Sequence, residues 1–153
     1  MARQPVMNER GGAGSIVTIA SMAAHRASKN QYTSDYCMSK GAVLSLTKQL
    51  GVELANRRIR VNVISPGYAS TILHNRPLST HAFSRYVSTD LMDDLVKARP
   101  KLGEVFNSEP PMKRMADRTD LKGAAVYLLS DASAYMTSGE LLITGGLHAG
   151  QVH

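Results

Sequence analysis

Three short apolar runs lie along the chain, and each has the length and flanking residues of a β-strand. They occupy residues 15–20, 59–64 and 140–143. The first two are nearly continuously apolar and rich in β-branched side chains, which is typical of parallel strands covered on both faces. Pro66 and Gly67 follow the second run and end it. The pattern therefore predicts a buried parallel sheet.

Helical periodicity separates these predicted strands. Through residues 34–56 apolar side chains recur at helical spacing, at Val43, Leu46, Leu50 and Leu54. A second helix is predicted to reach Leu129 from an N-cap at Thr119, since a threonine hydroxyl accepts a bond from the first helical turn. The order strand, helix, strand, long excursion, helix, strand predicts a layered α/β fold with parallel strands.

The long excursion over residues 68–112 is irregular. Leu91, Leu95 and Val96 predict one short helix that Pro100 closes. The sequence Tyr-Ala-Ser-Thr at 68–71 also returns as Tyr-Val-Ser-Thr at 86–89. One interpretation is that roughly 69–86 is an insertion, such as unspliced sequence in the gene model, and the alternative is a long natural lid loop. Sequencing the transcript distinguishes them, because mature messages that carry 69–86 would exclude the insertion.

Length and composition limit the class of protein. A chain of 153 residues with 43% hydrophobic and 20% charged residues predicts one globular domain with a modest core. No apolar run approaches the ~20 residues of a membrane span, and the N-terminus lacks the apolar stretch of a signal peptide. Cys37 is the single cysteine, so it forms no internal disulfide and favours a reducing, cytoplasmic location.

The formal net charge of +6 raises the alternative of a nucleic-acid-binding module. Lysines and arginines are dispersed, however, and only 5% of residues are aromatic, which favours a solvated surface. The histidines are scattered along the sequence and show no metal-ligand spacing. We therefore expect no nucleic-acid partner, no membrane partner and no metal site.

Tyr36, Lys40 and Ser21 are the candidates for chemistry. Tyr36 and Lys40 are four residues apart in the predicted helix, so their phenol and ammonium would share one face. A phenol with a pKa of about 10 is a weak base at neutral pH, and an adjacent cation favours the phenolate, which can exchange a proton with an alcohol or carbonyl. Ser21, at the end of the first strand, would hold the same oxygen. The Tyr–Lys spacing alone also fits a surface tyrosine beside a solvated lysine.

The order of the motifs is more specific than any one of them. They follow one another as a strand that ends at Ser21, Tyr36 and Lys40 opening a long helix, the sequence Arg-Val-Asn-Val-Ile-Ser-Pro-Gly at 60–67, and a late Gly145-Gly146 pair. In this order the chain resembles the short-chain dehydrogenase/reductase family, strongly over 15–67 and 110–146 and poorly over 68–109. The resemblance implies the C-terminal part of a Rossmann-like doubly wound parallel sheet.

By this resemblance, Tyr36 is the catalytic acid/base, and Ser21 orients the substrate oxygen and stabilises its developing charge. Lys40 lowers the pKa of the phenol and hydrogen-bonds the nicotinamide ribose, so Tyr36 and Lys40 also count as cofactor-binding residues. Further cofactor contacts are implied beyond the second strand, at Pro66, Gly67, Ala69, Thr71, Val87 and Thr89. The cofactor is expected to be NADP(H) in preference to NAD(H), and the full-length protein a homo-oligomer.

One motif of the family is absent from residues 1–153, the glycine-rich turn that follows a first strand. The glycines at 11–14 precede a strand instead. Residues 1–153 are therefore expected to form a single truncated domain without the dinucleotide-binding half, and to be inactive alone. The family also has Asp before its last glycine pair, where this chain has Thr144.

The resemblance is greatest to polyol and ketose reductases of the mannitol, arabinitol, sorbose and xylulose type. It implies an oxidoreductase that interconverts a ketose-like carbonyl and a polyol alcohol. The alternative is a non-catalytic fragment that keeps the family's oligomerisation surfaces, which the helix over 34–56 and the final helix–strand unit would supply. In-frame genomic sequence upstream of Met1 that encodes the glycine-rich turn would favour the enzyme.

Overall fold

A three-stranded parallel sheet is the centre of the computed structural model, which describes residues 13–28, 31–69 and 98–150. The strands β1 (Gly14–Ile19), β2 (Ile59–Pro66) and β3 (Glu140–Ile143) lie side by side in the order β1-β2-β3. The register pairs Gly14 with Ile59 and Val63 with Glu140. The three apolar runs thus form the predicted strands, with bounds that differ by no more than two residues.

Helices cover both faces of the sheet. The described helices are α1 (Ser34–Glu53), α2 (Pro100–Ser108) and α3 (Arg118–Leu129). The Thr18 hydroxyl lies 2.6 Å from the hydroxyl of Thr47 on α1, whereas the Ser15 hydroxyl donates to the Leu128 carbonyl on α3 over 2.7 Å. Because side chains alternate along a strand, these two contacts place α1 and α3 on opposite faces. The predicted α/β fold with parallel strands is confirmed, and none of the described helices is both long and apolar enough to cross a membrane.

The face that α1 buries differs from the predicted apolar stripe. Its buried residues are Leu44, Thr47 and Gly51, while Leu46 of the predicted stripe is 55% exposed. Gly51 allows close approach, since a Cβ there would lie 2.7 Å from the backbone nitrogen of Ser138. Thr47 is buried because its hydroxyl donates to the Val43 carbonyl and meets Thr18. The small size of Gly51 is itself a sign of close packing, whereas the spacing of apolar positions gives no sign that Thr47 is buried.

The structure corrects one predicted helix boundary and adds another. Pro100 begins α2, because proline fits the first helical position, where no amide bond is needed. Asp117, not Thr119, is the N-cap of α3, and it forms a reciprocal capping box with Asp120. The helix predicted from 91–96 lies outside the described residues.

Polar side chains tie β2 to the segment between α3 and β3. The Arg60 guanidinium donates to the carbonyls of Leu128 and Ser130 over 3.0 Å each, and to the Ser133 hydroxyl over 2.8 Å. The carbonyls at a helix C-terminus have no partner within the helix, so Arg60 satisfies groups that α3 leaves open. The fully buried Asn62 side chain also joins the connection to β3, through the Gly139 amide over 2.9 Å.

Arg60→Met is expected to lower the free energy of unfolding by about 2–4 kcal/mol, because several partly buried acceptors lose a charged donor at once. Arg57→Met is the matched control, since Arg57 is exposed, and it should change the free energy by less than about 0.5 kcal/mol. Urea denaturation of the two variants measures both. Equal losses would contradict the role given to Arg60.

Candidate active site

The candidate site lies where the carboxyl end of β1 meets the first turns of α1. The Lys40 ammonium donates to the carbonyl of Ile19, the last residue of β1, over 3.1 Å. In open α/β sheets, ligands bind outside the carboxyl ends of the strands. Lys40 therefore fixes α1 at the edge of the sheet that is able to hold a ligand.

Tyr36 and Lys40 share one face of α1, one turn apart, as their spacing predicts. The Lys40 Nζ atom lies 5.6 Å from the centroid of the Tyr36 ring, within the range of a cation–π contact. The Tyr36 side chain is 45% exposed, so its phenol is accessible. Partial burial lowers the pKa of Lys40 from 10.5, because desolvation disfavours the ammonium. A cation beside an accessible phenol can support proton exchange at that phenol.

Ser21 lies two residues beyond β1 and is buried. It caps a short 3₁₀ turn, Met22–Ala24, and its hydroxyl oxygen accepts from the Ala23 amide over 3.2 Å. Because this bond occupies a lone pair of the oxygen, the hydroxyl proton remains for donation to another group. Ser21 also lies two residues from the Ile19 carbonyl that Lys40 contacts. The predicted position of Ser21 at the end of the strand adjacent to α1 agrees with the structure.

The Pro66–Gly67 turn lies at the carboxyl end of β2, on the same edge of the sheet. The Gly67 amide donates to the Ile143 carbonyl over 3.0 Å. A Cβ at Gly67 would lie 2.9 Å from the Cα of Thr144, so only glycine fits this approach. Ala69 forms an isolated parallel bridge with Ala116. The other three cofactor-binding candidates, Thr71, Val87 and Thr89, lie outside the described residues.

Two carboxylates near this edge have no counterpart in the sequence prediction. The first, Glu109, accepts from the Arg26 guanidinium over 2.8 Å and from the Tyr68 phenol over 2.9 Å. Burial, followed by the hydrogen bond to Glu109, raises the pKa of Tyr68 to about 12. The second, Glu140, lies 2.7 Å from the His25 ring and accepts a bond from the Ser65 hydroxyl. These contacts join residues far apart in sequence, and no local pattern marks them.

No group of three metal-ligating side chains that could hold an ion occurs in 13–28, 31–69 or 98–150.

Comparison with known proteins supplies a family context for this geometry. The family model described as "Enoyl-(Acyl carrier protein) reductase" matches residues 1–89 and again 80–148. The galactitol 2-dehydrogenase (L-tagatose-forming) of Cereibacter sphaeroides is 33% identical over 88% of this chain. The NADP-dependent mannitol dehydrogenase of Hypocrea jecorina is 37% identical over 88% of it. The match covers 46% of the first relative and 42% of the second, so the chain spans less than half of their lengths.

Among solved structures, a short-chain type dehydrogenase/reductase from Mycobacterium marinum superposes with a TM-score of 0.69 at 34% identity. The superposition covers 94% of this chain and 46% of that one. The fold is therefore the Rossmann-type α/β fold that the sequence predicts.

Replacing Lys40 by Met should remove a pH-dependent contribution to stability. The pKa of Lys40 in the folded chain lies below its ordinary value of 10.5. At a pH between these two values, Lys40 is therefore mostly protonated in the unfolded state and mostly deprotonated in the folded state. The free energy of unfolding of the native chain should therefore rise with pH in this window, relative to Lys40→Met. Urea denaturation at a series of pH values up to 10.5 measures the difference. A difference that stays constant across the series would contradict the desolvation of Lys40.

Proposed function

The chain belongs to the short-chain dehydrogenase/reductase family, and from that premise we propose that it is the C-terminal, catalytic portion of an NAD(P)-dependent oxidoreductase. Its reaction interconverts a ketose-like carbonyl and a polyol alcohol. The observation that carries the proposal is the Lys40 ammonium, which contacts the end of β1 near Ser21 and lies 5.6 Å from the Tyr36 ring. The galactitol and mannitol dehydrogenases among its relatives support the substrate class.

Each of the three side chains has one task at the substrate oxygen. In the reduction, the Tyr36 phenol gives its proton to the oxygen as a hydride reaches the carbonyl carbon, and in the oxidation the phenolate takes that proton back. The Lys40 ammonium stabilises the phenolate. The Ser21 hydroxyl, whose oxygen is fixed by the Ala23 amide, donates to the oxygen while negative charge develops there. The nicotinamide cofactor supplies or accepts the hydride when it is bound.

Lys40 is also the side chain best suited to hold the cofactor. An ammonium has three N–H donors, and within the described residues Lys40 donates one hydrogen bond, to the Ile19 carbonyl. The other donors are suited to the ribose hydroxyls. We further propose that the turn at Pro66 and Gly67, with Ala69 or Val87 and Thr71 or Thr89, faces the nicotinamide carboxamide. NADP(H) is favoured over NAD(H), since the mannitol dehydrogenase relative is named as NADP-dependent.

Exposed apolar side chains favour a second candidate, a non-catalytic fragment that assembles with other chains. Leu46 and Val52 on α1 are 55% and 70% exposed, and Val126 and Leu129 on α3 are 67% and 57% exposed. Apolar groups on two helices are suited to subunit contacts, and homo-oligomerisation of the full-length protein uses the same surfaces. The two candidates differ in whether activity appears once a dinucleotide-binding half is supplied. In either case the protein is expected in the cytoplasm.

A chimaera tests the enzymatic proposal. The N-terminal half of a family member, such as the H. jecorina mannitol dehydrogenase, is placed before residues 1–153. The chimaera should reduce ketoses with NADPH, while the 153-residue chain alone should not, because hydride transfer needs the nicotinamide anchored through its pyrophosphate and adenosine. A folded chimaera that is inert toward ketoses and polyols with either cofactor would contradict the proposal. NADPH-dependent ketose reduction by residues 1–153 alone would contradict the need for the added half.

Variants of the active chimaera separate the roles of the three side chains. Tyr36→Phe should nearly abolish turnover with little change in cofactor affinity, because it removes the proton and keeps the ring. Lys40→Ala should impair both, and Ser21→Ala should lower kcat by about 10²–10³, as for one lost oxyanion donor. Tyr135→Phe is the control, since Tyr135 is fully exposed. Steady-state kinetics and cofactor titration give the values, and equal cofactor dissociation constants for Tyr36→Phe and Lys40→Ala would refute the dual role of Lys40.

A further inference from the structure

The loop that follows Ser21 is anchored to the rest of the chain by a partly buried ion pair between Arg26 and Glu109. One Arg26 nitrogen donates to Glu109 Oε1 over 2.8 Å, and the other donates to the Leu147 carbonyl over 3.0 Å. The Arg26 and Glu109 side chains are only 28% and 14% exposed. Charges shielded from water interact more strongly than those at an open surface. Arg26 thus anchors its loop to two distant segments of the chain.

The second oxygen of Glu109 has a different partner. The Tyr68 phenol donates to Oε2 over 2.9 Å, and its ring packs on the buried Phe106 with centroids 4.4 Å apart. With its pKa raised to about 12, the phenol remains a protonated donor at neutral pH. The Glu109 carboxylate therefore bridges the loop and Tyr68.

The bridge joins the two sides of the candidate site. Arg26 belongs to the loop that begins at Ser21, and its amide donates back to the Met22 carbonyl over 3.0 Å. Tyr68 directly follows the Pro66–Gly67 turn. A displacement of either segment would move a substrate-side hydroxyl relative to the backbone proposed to face the cofactor.

We propose that Glu109 is a positioning residue, whose carboxylate fixes the Ser21 loop relative to the Pro66–Gly67 turn. Its catalytic consequence rests on the proposed function above. Glu109 acts through Arg26 and Tyr68 and is assigned no contact with substrate. A misplacement of about 1 Å in an active site costs about 10²-fold in rate, so loss of the bridge should be visible in turnover.

Hydrogen exchange of the 153-residue chain tests the bridge without any need for activity. Glu109→Ala should speed exchange of the Ala24, His25 and Arg26 amides, which bond within the loop, by about tenfold. The Ala116 amide, which donates to the Tyr68 carbonyl over 2.8 Å, should also exchange faster. Amides in the centre of α1 should not change. Glu109→Gln, which keeps an acceptor, should fall between, and Glu104→Ala on the exposed side of α2 is the control.

Kinetics of the chimaera test the consequence for catalysis. Glu109→Ala should lower kcat by about 10²-fold with cofactor affinity nearly unchanged, Glu109→Gln should recover much of the loss, and Glu104→Ala should match the parent. Native exchange rates in Glu109→Ala would overturn the bridge, whether or not the chimaera is active. Faster exchange with an unchanged kcat would overturn the positioning role. An inert parent chimaera would instead contradict the proposed function, while the exchange rates still decide the bridge.

Discussion

Parallel pairing of strands covered on both faces is the constraint on which the rest of the molecule depends. Strands that run in the same direction bring all their carboxyl ends to one edge of the sheet. Ser21, Gly67 and Thr144 follow the three strands and therefore lie at that edge, although they are distant in sequence. The ladder continues beyond the strands, through bonds from the Ala20 amide to Ile64 and from the Gly67 amide to Ile143. The backbone at the candidate site thus has the rigidity of the sheet.

A sheet covered on both faces must satisfy its buried polar groups from within. Thr47 and Asn62 are fully buried and hydrogen-bonded, and Arg60 supplies donors to the open end of α3. The same principle operates at the candidate site, where Lys40 satisfies the Ile19 carbonyl at the end of β1. This bond holds the ammonium beside the Tyr36 ring. The Lys40 ammonium, which satisfies a backbone carbonyl of the sheet, thus also provides the charge that the proposed chemistry requires.

Sequence reasoning succeeded where the signal was local. Continuous apolar runs predicted the strands, and a four-residue spacing predicted that Tyr36 and Lys40 share a helix face. It was wrong about Leu46 of α1, which is exposed, and it did not mark Thr47, which is buried through its hydrogen bonds. It missed the contact between Arg26 and Glu109, which are 83 residues apart. Such a pairing depends on how the segments around the sheet pack together. The sequence around Arg26 and around Glu109 does not distinguish either residue from a charged residue exposed to solvent.

The exposure of Tyr36 bears on the proton transfer proposed for it. At 45% exposure the phenol is open to water, whereas an active site strengthens its electrostatic interactions by excluding water. Within the described residues β1 pairs only with β2, so its other backbone edge is not covered by a strand. A strand added at that edge would lie beside the turn that carries Ser21. Pairing at that edge would therefore both stabilise β1 and help to shield the candidate site from water.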